Sequence, residues 1–496
     1  MYLLYCSMKS KSLDIRQLFR YNKHYDQHNR NIVPMTIWTP TLDRTKPLYL
    51  AIADAIAQDV EAGTLAKGDR LPPQRDLAWK LGVTLGTVTR AYKQAEERGL
   101  LSGEVGRGSY IRHEHAVRAI PPLASGQDGL IDLTHAIPPP VVTAQEFDAA
   151  LQSIMRDPRK LDLLDYAPPD GHMVHKTMAV HWLKSSGITT EERNVFITAG
   201  AHLGLITVLE ALTEPGDAIM AEHVNYALLR ATFANAHLET VALEMDQEGL
   251  TPEAFEQAAR TSKARILYVV PTLQNPTTST MCHQRREAIV TIARKHNITI
   301  IEDDIFRLLD ARVQPPTFYA LAPERTFHVT GLSKTLAPGL RIGFVISPEG
   351  QDRTMRAHIR TMAARTVGIT GEIARYWIES DLATEILSRT RVDLAQRRAL
   401  FSDVFKAANF RCEPGAPYAW LELPEPWSAN RFASTLLAKN VKVSPGTLFN
   451  LNRNAASNHI RVCFGGPQTI WQSRAAFETI RNVMTSPDED EFTPVA

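Results

Sequence analysis

Cysteine is scarce in this chain: 4 residues among 496, at Cys6, Cys282, Cys412 and Cys463. Their spacing builds neither a metal-type pairing nor a disulfide frame, and it fits reduced thiols. Long hydrophobic runs are missing as well. The apolar start, Met1 to Cys6, is too short for the core of a signal peptide, and no later run reaches the length that crosses a bilayer. An excess of one charge is also absent. Lys and Arg number 55 against 54 Asp and Glu, a formal net of +1, so any contact with nucleic acid has to be local. These absences predict a cytoplasmic protein with no membrane partner and no metal.

What is present is ordinary for a globular protein, 44% hydrophobic and 22% charged, but too long for one core. Residues 1–44 mix Lys, Arg, His, Asn and Gln without periodicity, which predicts a flexible N-terminal arm. From Pro47 the pattern changes. Leu48, Ala51, Ile52, Ala55, Ile56 and Val60 recur at helical spacing. Pro72-Pro73 opens a second helix with Leu77, Ala78 and Leu81 inside. Gly82-Val83-Thr84 makes a turn with a threonine cap, and Val88, Ala91, Tyr92 and Ala95 line a third helix. Two short helices across a glycine-containing turn form a helix-turn-helix, whose second helix can enter the major groove. Next, Gly103 to Ile111 alternates glycine and basic residues between apolar runs, as the tip of a β-ribbon or wing does. Arg75, Thr84, Thr87, Thr89, Arg90 and Lys93 fall on the groove side, and Arg107 on the wing. Between Arg44 and Arg112 stand 11 basic and 8 acidic residues, a modest +3, so charge alone does not establish a DNA partner.

Residues 114–130, with Pro121-Pro122, Ser125-Gly126 and Asp128-Gly129, have linker composition. Beyond Ile131 strands and helices alternate, which predicts an α/β domain with a largely parallel sheet. Apolar runs there end in unusual chemistry. Ile266 to Val270 leads to Asn275-Pro276, Ile298 to Ile301 to Glu302-Asp303-Asp304, and Thr326 to Val329 to Ser333-Lys334 with Arg341 following. In an open parallel sheet, ligands sit outside the carboxyl ends of the strands, so Asn275, Asp303 and Lys334 should face one crevice. Such a lysine can form a Schiff base with an aldehyde, while Ser333 and Arg341 can hold a phosphate. An aldehyde that carries a phosphate points to pyridoxal 5'-phosphate. Asp303 would keep its ring nitrogen protonated, Asn275 would donate to the ring 3-oxygen, and Tyr226 would stack on the ring. The turn through Gly200 and Ala201, ahead of a helix, adds backbone N–H groups for the phosphate.

Two resemblances sharpen this reading. Pro47-Leu48-Tyr49, Gly68 to Ala78, Gly82-Val83-Thr84, Thr87 to Tyr92, Gly99-Leu100-Leu101 and Gly106 to Tyr110 together resemble the GntR-family winged helix-turn-helix. Leu85 stands where that family carries a basic residue, which moves the expected contacts to Arg75, Thr87 and Thr89. Residues 131–490 resemble the fold-type I aminotransferases through Tyr166 to Gly171, Asn275-Pro276-Thr277, Glu302-Asp303-Asp304, Ser333-Lys334, Arg341-Ile342-Gly343 and Ile460-Arg461-Val462. That likeness implies that Tyr166 reaches the cofactor phosphate of a partner subunit and that Arg461 grips a substrate carboxylate. This chain departs from it at Gly331, where relatives place Ser or Thr, at Ile305-Phe306, where they place a tyrosine, and at the serine-free turn 199–201.

The expected fold class is multidomain: residues 45–113 a small α+β winged helix-turn-helix, then a large α/β domain of the pyridoxal-phosphate-dependent transferase type. The pair resembles the MocR subfamily of transcriptional regulators. It implies a homodimer that binds a double-stranded DNA operator and senses an amine, an amino acid or pyridoxal phosphate. The alternative is a catalytically active aminotransferase carrying an auxiliary DNA-binding domain.

Overall fold

The computed structural model describes residues 38–40, 42, 46–61, 64–65, 68–97, 100–104, 108–111, 129–362, 368–452 and 457–485. The chain divides into two compact units, 1–125 and 126–496. Most of the predicted arm and linker, and Arg107, lie outside the described residues.

The first unit holds α1 (Leu48–Glu61), α2 (Gln74–Leu81), α3 (Leu85–Glu97), β1 (Leu101–Glu104) and β2 (Gly108–Ile111). Ile52 and Ile56 of α1 pack with Leu77 of α2 and with Val88, Ala91 and Ala95 of α3. Gly82 adopts φ 66° and ends α2, its N–H bonding Ala78 O and Trp79 O. Two residues later the Thr84 side chain begins α3 by accepting the Thr87 N–H at 3.2 Å. The Tyr92 hydroxyl donates to Pro72 O at 2.8 Å and ties α3 to the entry of α2. β1 and β2 pair antiparallel, Leu101 opposite Ile111, which gives the helix-turn-helix its β-ribbon.

In the second unit the strands in chain order are β3 (Ile131–Asp132), β4 (Val195–Thr198), β5 (Ala218–Glu222), β6 (Glu239–Leu243), β7 (Met245–Asp246), β8 (Gly249–Leu250), β9 (Ile266–Val269), β10 (Thr299–Asp303), β11 (Thr326–Gly331), β12 (Gly343–Ile346), β13 (Phe410–Arg411), β14 (Tyr418–Glu422), β15 (Val441–Lys442), β16 (Ser444–Pro445) and β17 (His459–Cys463). Seven form one sheet in the order β4-β12-β11-β10-β9-β5-β6. Only β12 in that sheet runs antiparallel to its neighbours. β4, β9 and β12 are buried at every residue, because both faces of the sheet are covered. The pleat sends Ile197, Phe344 and Ile346 to a core with Trp182 and Trp377, and Phe196, Val345 and Val329 to one with Leu205 and Val208. A second, antiparallel sheet runs β13-β14-β17-β16, and β3 pairs with β15 beside it.

One crossing in the large sheet admits no side chains. Gly331 of β11 faces Gly343 of β12. A Cβ on Gly331 would lie 2.6 Å from Ile342 O, and one on Gly343 would overlap the Gly200 backbone. At residue 331 this backbone leaves no room for the Ser or Thr that the aminotransferase resemblance implies. Gly331→Ser should therefore lower the stability of the large unit by about 1–3 kcal/mol, measured as a fall in the denaturant midpoint of its unfolding; an unchanged midpoint would disprove this packing account.

Candidate functional site

On the first unit, Arg75, Thr84, Thr89, Arg90 and Lys93 are exposed and Thr87 is half-buried. Several of these groups are already engaged. The Thr84 and Thr87 hydroxyls bond each other at 2.9 Å, and Thr89 Oγ1 donates to Gln74 Oε1 at 2.8 Å and to Leu85 O at 3.0 Å. The Arg90 guanidinium lies over the Tyr49 ring, 4.1 Å from its centre. These residues thus fix α3 as well as populate its outer face, and Arg75, in the first turn of α2, is not among them. Sequence reasoning passed over Trp79, which is 85% exposed beside the buried Leu77 and Ala78. Its position one residue past the buried pair was the available signal.

In the large unit, β9, β10 and β11 run parallel, so Asn275, Asp303 and Lys334 emerge at one sheet edge. Lys334 Nζ donates to Ala136 O at 2.7 Å. Arg461, from β17, reaches the same region: Nη1 donates to Asn275 Oδ1 at 2.7 Å and Nη2 to Thr134 O at 2.5 Å. The aromatic rings of Phe449 and Tyr418 lie 4.7 Å and 5.5 Å from its guanidinium carbon and hold that side chain in place. Thr134 and Ala136 belong to the segment by which the chain enters the unit. The Ile131 and Leu133 N–H groups bond Asn440 O and Lys442 O, and Cys463 N–H bonds Leu133 O. Gly465 and Gly466 press directly on its carbonyls, at Ile137 and Asp132. The sequence held no sign that backbone oxygens of residues 134 and 136 would receive both cations.

Asp303 is 8% exposed, and its Oδ2 accepts the Tyr268 hydroxyl at 2.7 Å. Tyr268 was missed because it sits mid-strand in a run that reads as plain core. Its ring lies 6.3 Å from that of Tyr226, whose hydroxyl bonds His202 Nδ1 at 3.0 Å. Phe306, where the aminotransferase resemblance implies a tyrosine, packs edge-on against Tyr418 in the core. At the neighbouring end of the crevice, Gly200 takes φ 99° and the helix Ala201–Leu212 starts immediately after it. Arg341 lies against this turn: a Cβ on Gly200 would sit 2.8 Å from Arg341 Nη2, which donates to Ala199 O at 3.3 Å. Ser333 Oγ is buried. Tyr166 is 86% exposed and so stands outside this buried set.

Burial pushes the Lys334 amine down to about 8, with the Arg461 charge acting the same way. Burial pushes the Asp303 carboxyl up to about 6. The adjacent Glu302 shows the opposite outcome. Burial alone would raise it, but His328, Arg286 and the Phe318 N–H bring it below the usual carboxylate range. Glu302 accepts the Phe318 and Tyr319 N–H groups at 2.8 and 3.0 Å and His328 Nδ1 at 2.9 Å. With Asp304 it forms a buried cluster that has the geometry of a metal-ligand set. Arg286 and Arg307 already balance its charge, which makes it a clamp beneath the β10 edge.

Among the buried side-chain atoms without a hydrogen-bond partner in the described residues are Asp303 Oδ1, Ser333 Oγ and Arg461 Nε, and Glu222 Oε1 at the end of β5 is another. An acceptor, a hydroxyl donor and a guanidinium donor left over at one sheet edge match a ring N–H, a phosphate and a carboxylate respectively. The residues present therefore fit pyridoxal phosphate with an amino-acid ligand.

Comparison with known proteins agrees with the geometry. Residues 134–472 match the model of aminotransferase class I and II, and residues 48–111 match that of the bacterial regulatory proteins of the gntR family. The chain belongs to the aminotransferase class I and II family. Its GntR-family head makes it, more particularly, a fusion of the MocR type. It is 26% identical to the HTH-type transcriptional regulator YdeF of Bacillus subtilis, over 91% of this chain and 97% of that one. It is 28% identical to the HTH-type pyridoxine biosynthesis transcriptional regulator PdxR of Corynebacterium glutamicum, over 71% and 77%. Among solved structures, an archaeal alanine:glyoxylate aminotransferase superposes with TM-score 0.67 at 22% identity, covering 72% of this chain and 91% of that one. Thermus thermophilus aspartate aminotransferase with maleate gives TM-score 0.64 at 22% identity, covering 72% and 92%. These likenesses show the fold.

The depressed lysine makes a kinetic prediction. The neutral amine is the nucleophile, so capture of added pyridoxal phosphate by cofactor-free protein should accelerate with pH and level off above about 8. Stopped-flow absorbance checks it; a rate still climbing towards 10.5, the ordinary lysine value, would contradict the site's electrostatics.

Proposed function

We propose that the protein is a cytoplasmic transcriptional regulator that binds double-stranded operator DNA through residues 45–113 and senses a small ligand through residues 131–490, with 114–130 as linker. The ligand is an amine, an amino acid or pyridoxal phosphate itself. The observation that carries this reading is the union in one chain of a GntR-family helix-turn-helix with a half-buried Lys334 set among the buried Asp303, Asn275 and Arg461. The similarity to PdxR, named as a pyridoxine biosynthesis regulator, supports it.

Pyridoxal phosphate, when bound, supplies an aldehyde for a Schiff base with Lys334 and a ring that accepts electrons. Asp303 Oδ1 accepts the ring N–H, while Tyr268 fixes the other oxygen of that carboxylate. Asn275 is oriented by Arg461, and Tyr226 flanks the ring. Ser333, Arg341 and the N–H groups at Gly200 and Ala201 hold the phosphate at the positive end of a helix. Arg461 takes a ligand carboxylate as a fork. Lys334 Nζ can take a proton near neutral pH because its amine is depressed. The protein acts as a homodimer in which the exposed Tyr166 serves the partner subunit's phosphate. Ligand reaches DNA binding only through a difference in its affinity for two states of the protein.

The rival reading, a working aminotransferase with an auxiliary DNA reader, is favoured by retention of the whole lysine, aspartate and arginine set. Sustained turnover of an amino-acid donor and a keto-acid acceptor would establish it. Under the regulatory reading, Lys334→Ala abolishes the response of operator binding to amines but leaves DNA binding in place. Arg75→Ala weakens operator binding roughly tenfold with the cofactor absorbance unchanged. Electrophoretic mobility shift and absorbance spectra on the same preparations check both, and the reverse pattern would overturn the assignment.

A further inference from the structure

Glu222, the last residue of β5, is fully buried and has no role in the site as described so far. Its Oε2 accepts Asn225 Nδ2 at 2.8 Å and the Val270 N–H at 3.2 Å. These two partners lead to two different ligand-facing pieces. Asn225 Oδ1 accepts the Tyr226 N–H at 2.8 Å, so one branch sets the turn that carries Tyr226. Val270 directly follows β9 and opens the loop that carries Asn275, so the other branch sets that loop. A parallel stitch joins the same pieces, since Gln274 Nε2 donates to Val224 O at 2.7 Å. Beside them, Tyr268 packs on Tyr226 and donates to Asp303.

We propose that Glu222 is a positioning residue of the cofactor site: it locks the Tyr226 turn and the Asn275 loop into one piece beside Asp303. The inference rests on the cofactor reading given above. Its charge state follows from the surroundings. The ionisable groups facing it are Tyr268 on β9 and Asp303 on β10. Burial pushes Glu222 up to about 8 and Asp303 only to about 6. Two carboxyls in one dry cluster do not both ionise readily. On this proposal the shared proton sits on Glu222 and the negative charge on Asp303, where a ring N–H would need it.

The sign of the pH effect is fixed by these values. Glu222 binds its proton more tightly folded than unfolded, so its contribution to stability falls as pH rises from its ordinary 4.5 towards 8. Asp303, at about 6, is largely ionised by about pH 7. In the full-length, cofactor-free protein, the melting temperature of the large unit should drop between about pH 7 and 8 in the wild type, while above about 8 the depressed Lys334 amine acts in the opposite direction. In Glu222→Gln, an uncharged isostere, that drop should shrink. Titration with pyridoxal phosphate should give a dissociation constant within about twofold of wild type for Glu222→Gln and at least about tenfold weaker for Glu222→Ala. Equal losses in both variants, or wild-type affinity in Glu222→Ala, would overturn the proposal. If the wild type binds no pyridoxal phosphate, the cofactor reading fails instead, and the pH slope still decides whether Glu222 is buried as a neutral acid.

Discussion

Three strands of backbone meet at Gly331, Gly343 and Gly200 more closely than any side chain permits, and the ligand-facing edge of the large unit depends on that contact. Lys334 follows β11 out of this crossing, Arg341 leads into β12, and Gly200 opens the helix Ala201–Leu212. Chemistry that needs a nucleophile, a guanidinium and a helix terminus within one small volume is met here by removing bulk from the backbone. The arrangement also explains why a hydroxyl is missing at residue 331. The close approach and a phosphate-binding side chain compete for one position, and the approach prevails.

Much of the architecture was legible because it rests on periodicity. Buried strands at regular intervals, helical spacing in the first unit and the Gly82 to Thr84 turn follow from local sequence. Lys334, Asp303 and Asn275 were found because strand-end residues of a parallel sheet converge whatever the details. What escaped was long-range pairing between atoms that have no sequence signature. Tyr268 and Asp303 are 35 residues apart, and the tyrosine reads as core until β9 is laid beside β10. Arg461 was expected to wait for a carboxylate, yet it also holds Asn275 and Thr134 O. Thr89 and Arg90 are exposed, as read from the spacing, but they are also engaged: Thr89 bonds Gln74 and Arg90 covers Tyr49. A spacing rule shows which way a residue faces, and it cannot show what the residue has already bonded.

Acidic residues at the β5 and β10 ends illustrate how environment divides roles among similar groups. Glu302 is ionised because N–H groups and an imidazole surround it. Asp303, one residue on, has a phenol on one oxygen and nothing on the other, and so stays open to a cationic partner. Glu222 receives only neutral N–H donors, and burial pushes its carboxyl up to about 8. Identical chemistry in the sequence thus gives a clamp, a counter-ion and a neutral brace.

The entry segment, residues 131–137, has a mechanical consequence. It is stitched to β15 and β17 and stopped by Gly465 and Gly466, so it cannot slide along its own axis. Its carbonyls are at the same time the resting contacts of Lys334 and Arg461. Hydrogen bonds lose strength within fractions of an ångström. Any shift of this segment would therefore reposition both cations together, because one short stretch of backbone supplies the carbonyl contact of each.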